Sequence, residues 1–215
     1  MPLSSELPAA GLLLLTGGQG RRLGGPKHRL AHPGGTSWGG HLVRVFEGSF
    51  PGGPVQLLGE GLPDRPDLTP MADPRQGPGA ALRHWAGQPR PRALRWWVAA
   101  CDQVRWTPET LSAWHQAAAA ADPQARAWVL ARHGGRIQPL GGFLADALVP
   151  GLCGGTGALM SLVDTVPCLI LDSEDAQWLD VDTPEALQAF LDNPGIRWPE
   201  GGGASKLGTP TFEVP

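Results

Sequence analysis

Short apolar runs, separated by glycine, proline and charge, set the rhythm of this chain. Residues 11–16 hold four consecutive leucines with glycines on either side, and read as a buried strand that ends abruptly. Residues 55–58 read as another buried strand, 68–71 as a short one ending near Asp73, and 94–100 (Leu-Arg-Trp-Trp-Val-Ala-Ala) as a strong one. Residues 127–132, 138–143 and 168–171 complete the strands. Elsewhere the apolar spacing lengthens to that of a helix. Trp38, Leu42, Val45 and Phe46 predict a helix within 37–50, capped by Thr36 or Ser37. Further helices are predicted over 79–87 and 156–166. Thr107-Pro108-Glu109 and Thr183-Pro184-Glu185 are two cap-proline-acid starts, opening helices to about Ala120 and about Leu191.

Strands that alternate with helices imply a three-layer α/β/α sandwich with a mostly parallel sheet. Ligands of such sheets bind beyond the carboxyl ends of the strands. That rule gathers on one edge the glycines after the first strand, Asp73, and Asp102 after the Trp96-Trp97 strand. Residues 1–10 read as a loose leader within a single domain spanning 1–197. Residues 198–215, rich in glycine, proline and serine without apolar period, read as a tail.

Composition narrows the picture. The 215 residues suit one domain, and the net charge of −3 gives no basic field for nucleic acid. Three widely spaced cysteines (Cys101, Cys153, Cys168) form neither a disulfide framework nor a zinc motif, and suit a reducing cytoplasm. The histidines are not expected to form a zinc site. The leucine run is too short for a membrane span and lacks the basic flank of a signal peptide. The chain is thus expected to be cytoplasmic, monomeric and without membrane partners. The 31 glycines and 23 prolines raise the question of disorder, which the recurring apolar runs answer.

Residues 17–27, Gly-Gly-Gln-Gly-Arg-Arg-Leu-Gly-Gly-Pro-Lys, carry the candidate chemistry. Glycines let the backbone approach a ligand closely and turn its N–H groups inward, while Arg21, Arg22 and Lys27 add positive charge. The sum is a phosphate-binding loop. It is not a P-loop, because Lys27 is followed by His28 rather than Ser or Thr. Nor is it a dinucleotide fingerprint, because Leu23 stands where the third glycine belongs. Only two of the 17 basic residues are lysines, Lys27 and Lys206, and one of them sits in this loop. A carboxylate at Asp102 fits a helix cap or a metal ligand. Asp180 and Asp182 face the same side of an extended segment, with Asp182 also readable as a plain helix N-cap.

These residues resemble a known family. Leu15-Thr16-Gly17-Gly18, Arg22-Leu23-Gly24 and Lys27 are similar, in kind and spacing, to the opening signature of the nucleotidyltransferases related to molybdenum cofactor guanylyltransferase. Cys101-Asp102 resembles that family's Cys-Asp-x-Pro, with Val104 for the proline. Asp180-Val181-Asp182-Thr183-Pro184-Glu185 resembles its Asn/Asp-x-Asn/Asp-Thr-Pro-Glu. Asp73 with Gly77-Pro78-Gly79-Ala80-Ala81 resembles its nucleotide-contacting segment, and Gln138-Pro139-Leu140 its strand on the acceptor side. The departures are Thr16 for alanine, Pro26 for aspartate, Val104 for proline, Gly79 and Ala81 in the base-contacting loop, and the absence of the asparagine after the second strand, with Gly59 at or beside that place.

The resemblance implies a Rossmann-like nucleotidyltransferase fold and transfer of GMP from GTP to molybdopterin, with GTP and molybdopterin as substrates and release of pyrophosphate. It implies Mg2+ held by Asp102 and Asp182. Arg22, Lys27 and Asp102 are the implied catalytic residues. Leu15, Thr16, Gly17, Gly18, Gln19, Gly20, Lys27, Asp73, Gly77 and Asp102 are the implied nucleotide-binding residues. A CTP-dependent cytidylyltransferase of the same fold, and a non-catalytic nucleotide-binding domain, are the alternatives. The nine tryptophans are expected to pack rather than to stack on a base.

Overall fold

A computed structural model describes residues 7–154 and 157–192. The expected tail, the domain boundary at 197 and the start of the helix expected from Thr156 lie outside the described residues. Seven strands form one sheet: β1 (Ala10–Leu15), β2 (Val55–Leu58), β3 (Pro70–Met71), β4 (Arg95–Ala100), β5 (Trp128–His133), β6 (Arg136–Ala145) and β7 (Cys168–Asp172). Their order is β3-β2-β1-β4-β6-β5-β7. β1 pairs in parallel with both β2 and β4, and β5 with β7. Only β6 runs against its neighbours.

The alternation in β1 and β4 explains the three layers. Leu12, Leu14, Trp97 and Ala99 face one side, with α1 (Trp38–Ser49) and α3 (Pro108–Ala121) packed over them. Leu13, Trp96 and Val98 face the other side, covered by α2 (Pro78–Ala86), α4 (Val149–Leu152) and α5 (Leu159–Val163). A strand buried on both faces reads as a continuous apolar run, which is why residues 12–15 are all leucine. α6 (Pro184–Asp192) closes the described chain.

The helix starts follow local chemistry. Ser37 caps α1 by accepting from the Gly40 N–H. Thr107 caps α3 within a reciprocal box with Thr110, and Pro108 takes the first helical position. The helix expected over 156–166 is shorter where it is described, ending at Val163 before Pro167. β5 and β6 form a hairpin without an intervening helix. His133 pairs Arg136 across Gly134-Gly135, both at positive φ, as a tight two-residue turn requires. The polar His133 and Arg136 hide this continuity in the sequence.

Tryptophan fills the core, as expected. Trp97, Trp106, Trp178 and Trp114 meet edge to face in a chain, with ring centroids 5.0 to 5.5 Å apart. Such contacts contribute about 0.5–1.5 kcal/mol each beyond area burial. Trp97 and Trp114 both donate their indole N–H to the Gly141 carbonyl, at 3.1 Å each.

Two buried polar devices yield predictions. Asp146 is 3 % exposed and accepts from Arg90 (3.0 Å), Arg92 (2.5 Å) and the Trp96 indole (2.8 Å). Replacing Asp146 with Ala leaves those donors without their acceptor, and chemical denaturation should show a loss of about 3–5 kcal/mol. Unchanged stability would mean that the cluster contributes nothing. The second device is the pair His32 and His41, whose rings stack at 3.8 Å and 5°. Burial first, then for His32 the neighbouring His41, lowers their pKa values to about 3 and about 4. The unfolded chain therefore binds protons that the folded one refuses. Stability from this pair is intact above about pH 6.5 and falls toward pH 3. Thermal melts should show this slope flattened in the His32→Asn/His41→Asn protein; an equal slope would overturn the assignment.

Candidate functional site

The order of the strands reverses at β1 and β4, whose last residues Leu15 and Ala100 lie side by side. Chain leaving two adjacent parallel strands in opposite directions opens a crevice at their carboxyl ends. A cleft of 290 Å³ lies there. Its floor is Leu15, Thr16 and Ala100. One wall is Gly17, Gly18 and Gln19, another is Asp73, Arg75 and Gly77, and Lys27 and Asp102 stand at its end. Every residue expected to bind nucleotide lines this cleft except Gly20. Arg22 does not line it either, and sits exposed on the short turn Arg21–Leu23 beside it.

The glycines are there for contact. Gly20 has a φ of 55°, and a Cβ on it would collide with the Gly25 carbonyl, so the loop folds back on itself only with glycine. Gly59 has a φ of 130°, and a side chain there would strike the backbone of Thr16 and Gly17. The backbone after β2 is thus built for glycine at this position. Thr16, in place of alanine, fixes the same junction: its hydroxyl donates to the Glu60 carbonyl at 2.7 Å and accepts from the Glu60 N–H at 2.8 Å.

Lys27 is the hinge of the electrostatics. Its ammonium donates to Asp102 Oδ2 at 2.9 Å and to Asp182 Oδ1. Burial opposes the charge, but the two carboxylates outweigh it and hold the Lys27 pKa above its usual value. Three segments distant in sequence meet in this triad, and one apolar cluster joins them from beneath. Leu23 comes from the glycine loop, Val104 from the turn after Asp102, Val181 from between the two aspartates, Trp38 from α1 and Phe190 from α6. Val104, where the family has proline, is fully buried there. The Val181 N–H also donates to the Asp102 carbonyl at 3.0 Å.

Thr183, not Asp182, caps α6, by accepting from the Ala186 N–H at 3.2 Å. The Asp102 carboxylate caps no helix and goes to Lys27. Asp180 does not join the ion triad. Desolvation and the charges of Asp102 and Asp182 push its carboxyl up to about 6. It lies with Gln103 and Gln138 in a smaller adjoining pocket.

Among the described residues no three of His, Cys, Asp and Glu form a self-sufficient metal cage. Mg2+ does not need one, since it is commonly held by one or two carboxylates together with phosphate oxygens and water. Asp102 and Asp182 converge on one point, already taken by a positive charge, and so fit that role.

Three residues of the site escaped the sequence reading. His28 lines the cleft yet is 1 % exposed, with Arg29 Nε donating to its Nε2 at 3.2 Å. Burial, first of all, lowers its pKa. Glu60 faces Arg29 at 3.1 Å, His28 at 3.6 Å and Arg75 at 3.7 Å. Arg75 lies two residues past Asp73, and its N–H donates to Asp73 Oδ1 at 2.8 Å. The pattern Asp-Pro-Arg could have drawn notice to Arg75; nothing in the spacing pointed to Glu60 or His28.

The fold has known counterparts. Rv0371c from Mycobacterium tuberculosis aligns with a TM-score of 0.64 and 21% identity, over 86% of this chain and 98% of that one. The manganese complex of Rv0371c aligns at 0.60 and 17%, over 87% and 100%. Molybdopterin-guanine dinucleotide biosynthesis protein A from Archaeoglobus fulgidus aligns at 0.62 and 17%, over 86% and 98%. At these identities the likeness shows the fold alone. No curated protein matches the sequence. Among the described residues no helix is long and apolar enough to cross a membrane. The pattern of the MobA-like NTP transferase domain matches residues 12–163, a span that holds the glycine loop, Lys27 and Asp102, and the chain belongs to that family.

Proposed function

We propose that this protein moves GMP from GTP to molybdenum-bound molybdopterin, forming the guanine dinucleotide cofactor and releasing pyrophosphate. The observation that carries the reading is Lys27, held between Asp102 and Asp182 at the end of a glycine-walled cleft. Family membership supports nucleotidyl transfer. The likeness to the Archaeoglobus protein supports guanine as the base and molybdopterin as the acceptor.

The reaction asks little covalent chemistry of the protein. An oxygen of the acceptor phosphate bonds to the α-phosphorus of GTP, and the bond from that phosphorus to the pyrophosphate oxygen breaks. A phosphate monoester loses its second proton near pH 6, so the attacking oxygen is already ionised at neutral pH and needs no general base. Positioning and charge neutralisation then lower the barrier. Backbone N–H groups of residues 17–20 face the triphosphate. Lys27 meets the charge that builds on the α-phosphoryl and the leaving group. Arg22 adds positive charge from the solvent side. Asp73 and Gly77 border the base. Asp102 and Asp182 would hold Mg2+, a reading supported by their convergence and by the manganese bound to Rv0371c. When bound, the ion supplies Lewis-acid polarisation of phosphate oxygens.

Titration calorimetry should detect GTP binding that strengthens with magnesium and exceeds CTP binding. A preference for CTP would overturn the base assignment, and binding of neither would overturn the reading. Pyrophosphate release from GTP with molybdopterin should fall by about 10²–10³-fold in Lys27→Ala and in Asp102→Ala. Wild-type turnover in either would overturn the site.

A further inference from the structure

The wall of the cleft formed by residues 73–77 holds an anomaly. Arg75 has a φ of 58°. Among the described residues only Ala125 shares positive φ with a side chain, and Arg75 lines the main cleft. A left-handed conformation is disfavoured for a residue with a Cβ, and such residues cluster where ligands are gripped. The turn that holds it is local: Asp73 Oδ1 accepts the Arg75 N–H, and Gly77, two residues on, is also at positive φ. Glycine would sit here without strain, so the conformation gives no reason for arginine.

The side chain offers the reason. Its guanidinium lies 3.7 Å from Glu60, too far for a firm hydrogen bond, and Glu60 already has Arg29 at 3.1 Å. Arg75 is therefore loosely held at the rim of both the main cleft and a 220 Å³ recess shared with Gly17, Gly59 and Asp73. The other Asp73 oxygen, Oδ2, closes against Gly17, where even one methyl would collide with it. One wall of the cleft thus presents an acceptor-only carboxylate beside a donor-only guanidinium.

That pairing is selective. Guanine carries along one continuous edge the acceptors N7 and O6 and the donors N1–H and N2–H. Arginine pairs with O6 and N7, and a carboxylate accepts from N1–H and N2–H. Adenine turns an amino donor toward the arginine at the same place. We infer that Arg75 is the residue that selects the 6-keto purine, donating to O6 and N7 while Asp73 accepts from the opposite end of the same edge. The inference rests on the proposed transfer from GTP and assigns its base specificity.

The test compares GTP, ITP and ATP binding by calorimetry in the wild-type protein and in Arg75→Gly and Arg75→Lys. ITP keeps O6, N7 and N1–H and lacks only the 2-amino group. Arg75→Gly should weaken GTP and ITP alike, by roughly 10- to 100-fold, and leave ATP unchanged. Arg75→Lys should recover only part of the loss, since an ammonium cannot form the two-pronged contact. The glycine variant should melt at the same temperature or about 2–4 °C higher, because strain is relieved. An equal loss for all three nucleotides, or an unchanged GTP to ATP ratio, would overturn the role of Arg75 while leaving nucleotidyl transfer standing. Wild-type protein that binds none of the three would overturn both.

Discussion

A single buried-side ammonium, Lys27, is what the site depends on. Two aspartates at the end of separate segments would repel each other if brought together without it. Lys27 lets Asp102 and Asp182 approach one point, and it does so at the cost of its own desolvation, which the two carboxylates outweigh. A lysine suits the place better than one of the abundant arginines. It is a compact point charge that two carboxylates can share from different directions, whereas a guanidinium prefers one flat partner.

Electrostatics alone would not hold three distant segments in register. The apolar cluster of Leu23, Trp38, Val104, Val181 and Phe190 does that, drawing one hydrophobic residue from each of the three segments that carry Lys27, Asp102 and Asp182. The arrangement divides labour along the sequence: in Asp180-Val181-Asp182 the middle residue anchors and its neighbours face the edge of the sheet. The stacked histidines His32 and His41 lean on the Val104–Trp106 backbone, through His41 Nε2 donating to the Trp106 carbonyl at 3.0 Å, and His32 also packs against Phe190 of the cluster. The segment after Asp102 is therefore held by the apolar cluster and by the histidine pair that adjoins it.

Much of this was legible in the sequence, and for definite reasons. Runs buried on both faces, such as the leucines of β1, announce themselves by composition. Cap-proline-acid starts fix helix ends within a residue. The glycine loop, Asp73 and Asp102 were placed on one edge by the rule that parallel strands bind ligands at their carboxyl ends, and the cleft gathers them there. What stayed hidden depends on contacts across space. The β5–β6 hairpin was obscured by polar residues at its tip. Lys27 between the aspartates, Glu60 behind Arg29 and Arg75 in its left-handed turn leave no periodic trace. Arg22 was placed by motif alone, and in the fold it stands outside the cleft.

The reversed direction of β6 has a consequence for how such a chain can diversify. Because β6 runs against β4, it is the beginning of β6, Gln138 to Leu140, that arrives beside Asp102, while the remainder of the strand carries the core residues Phe143 and Leu144. The rim on that side is built from the strand just past the tip of a hairpin rather than from a loop emerging after a strand. Leu140 lines both the pocket around Asp180 and the main cleft, and the next carbonyl, at Gly141, receives the Trp97 and Trp114 indoles, which ties this rim to the tryptophan chain. Gln138 and Pro139, ahead of that anchor, border the Asp180 pocket and not the main cleft, so variation at those two positions reshapes one without the other.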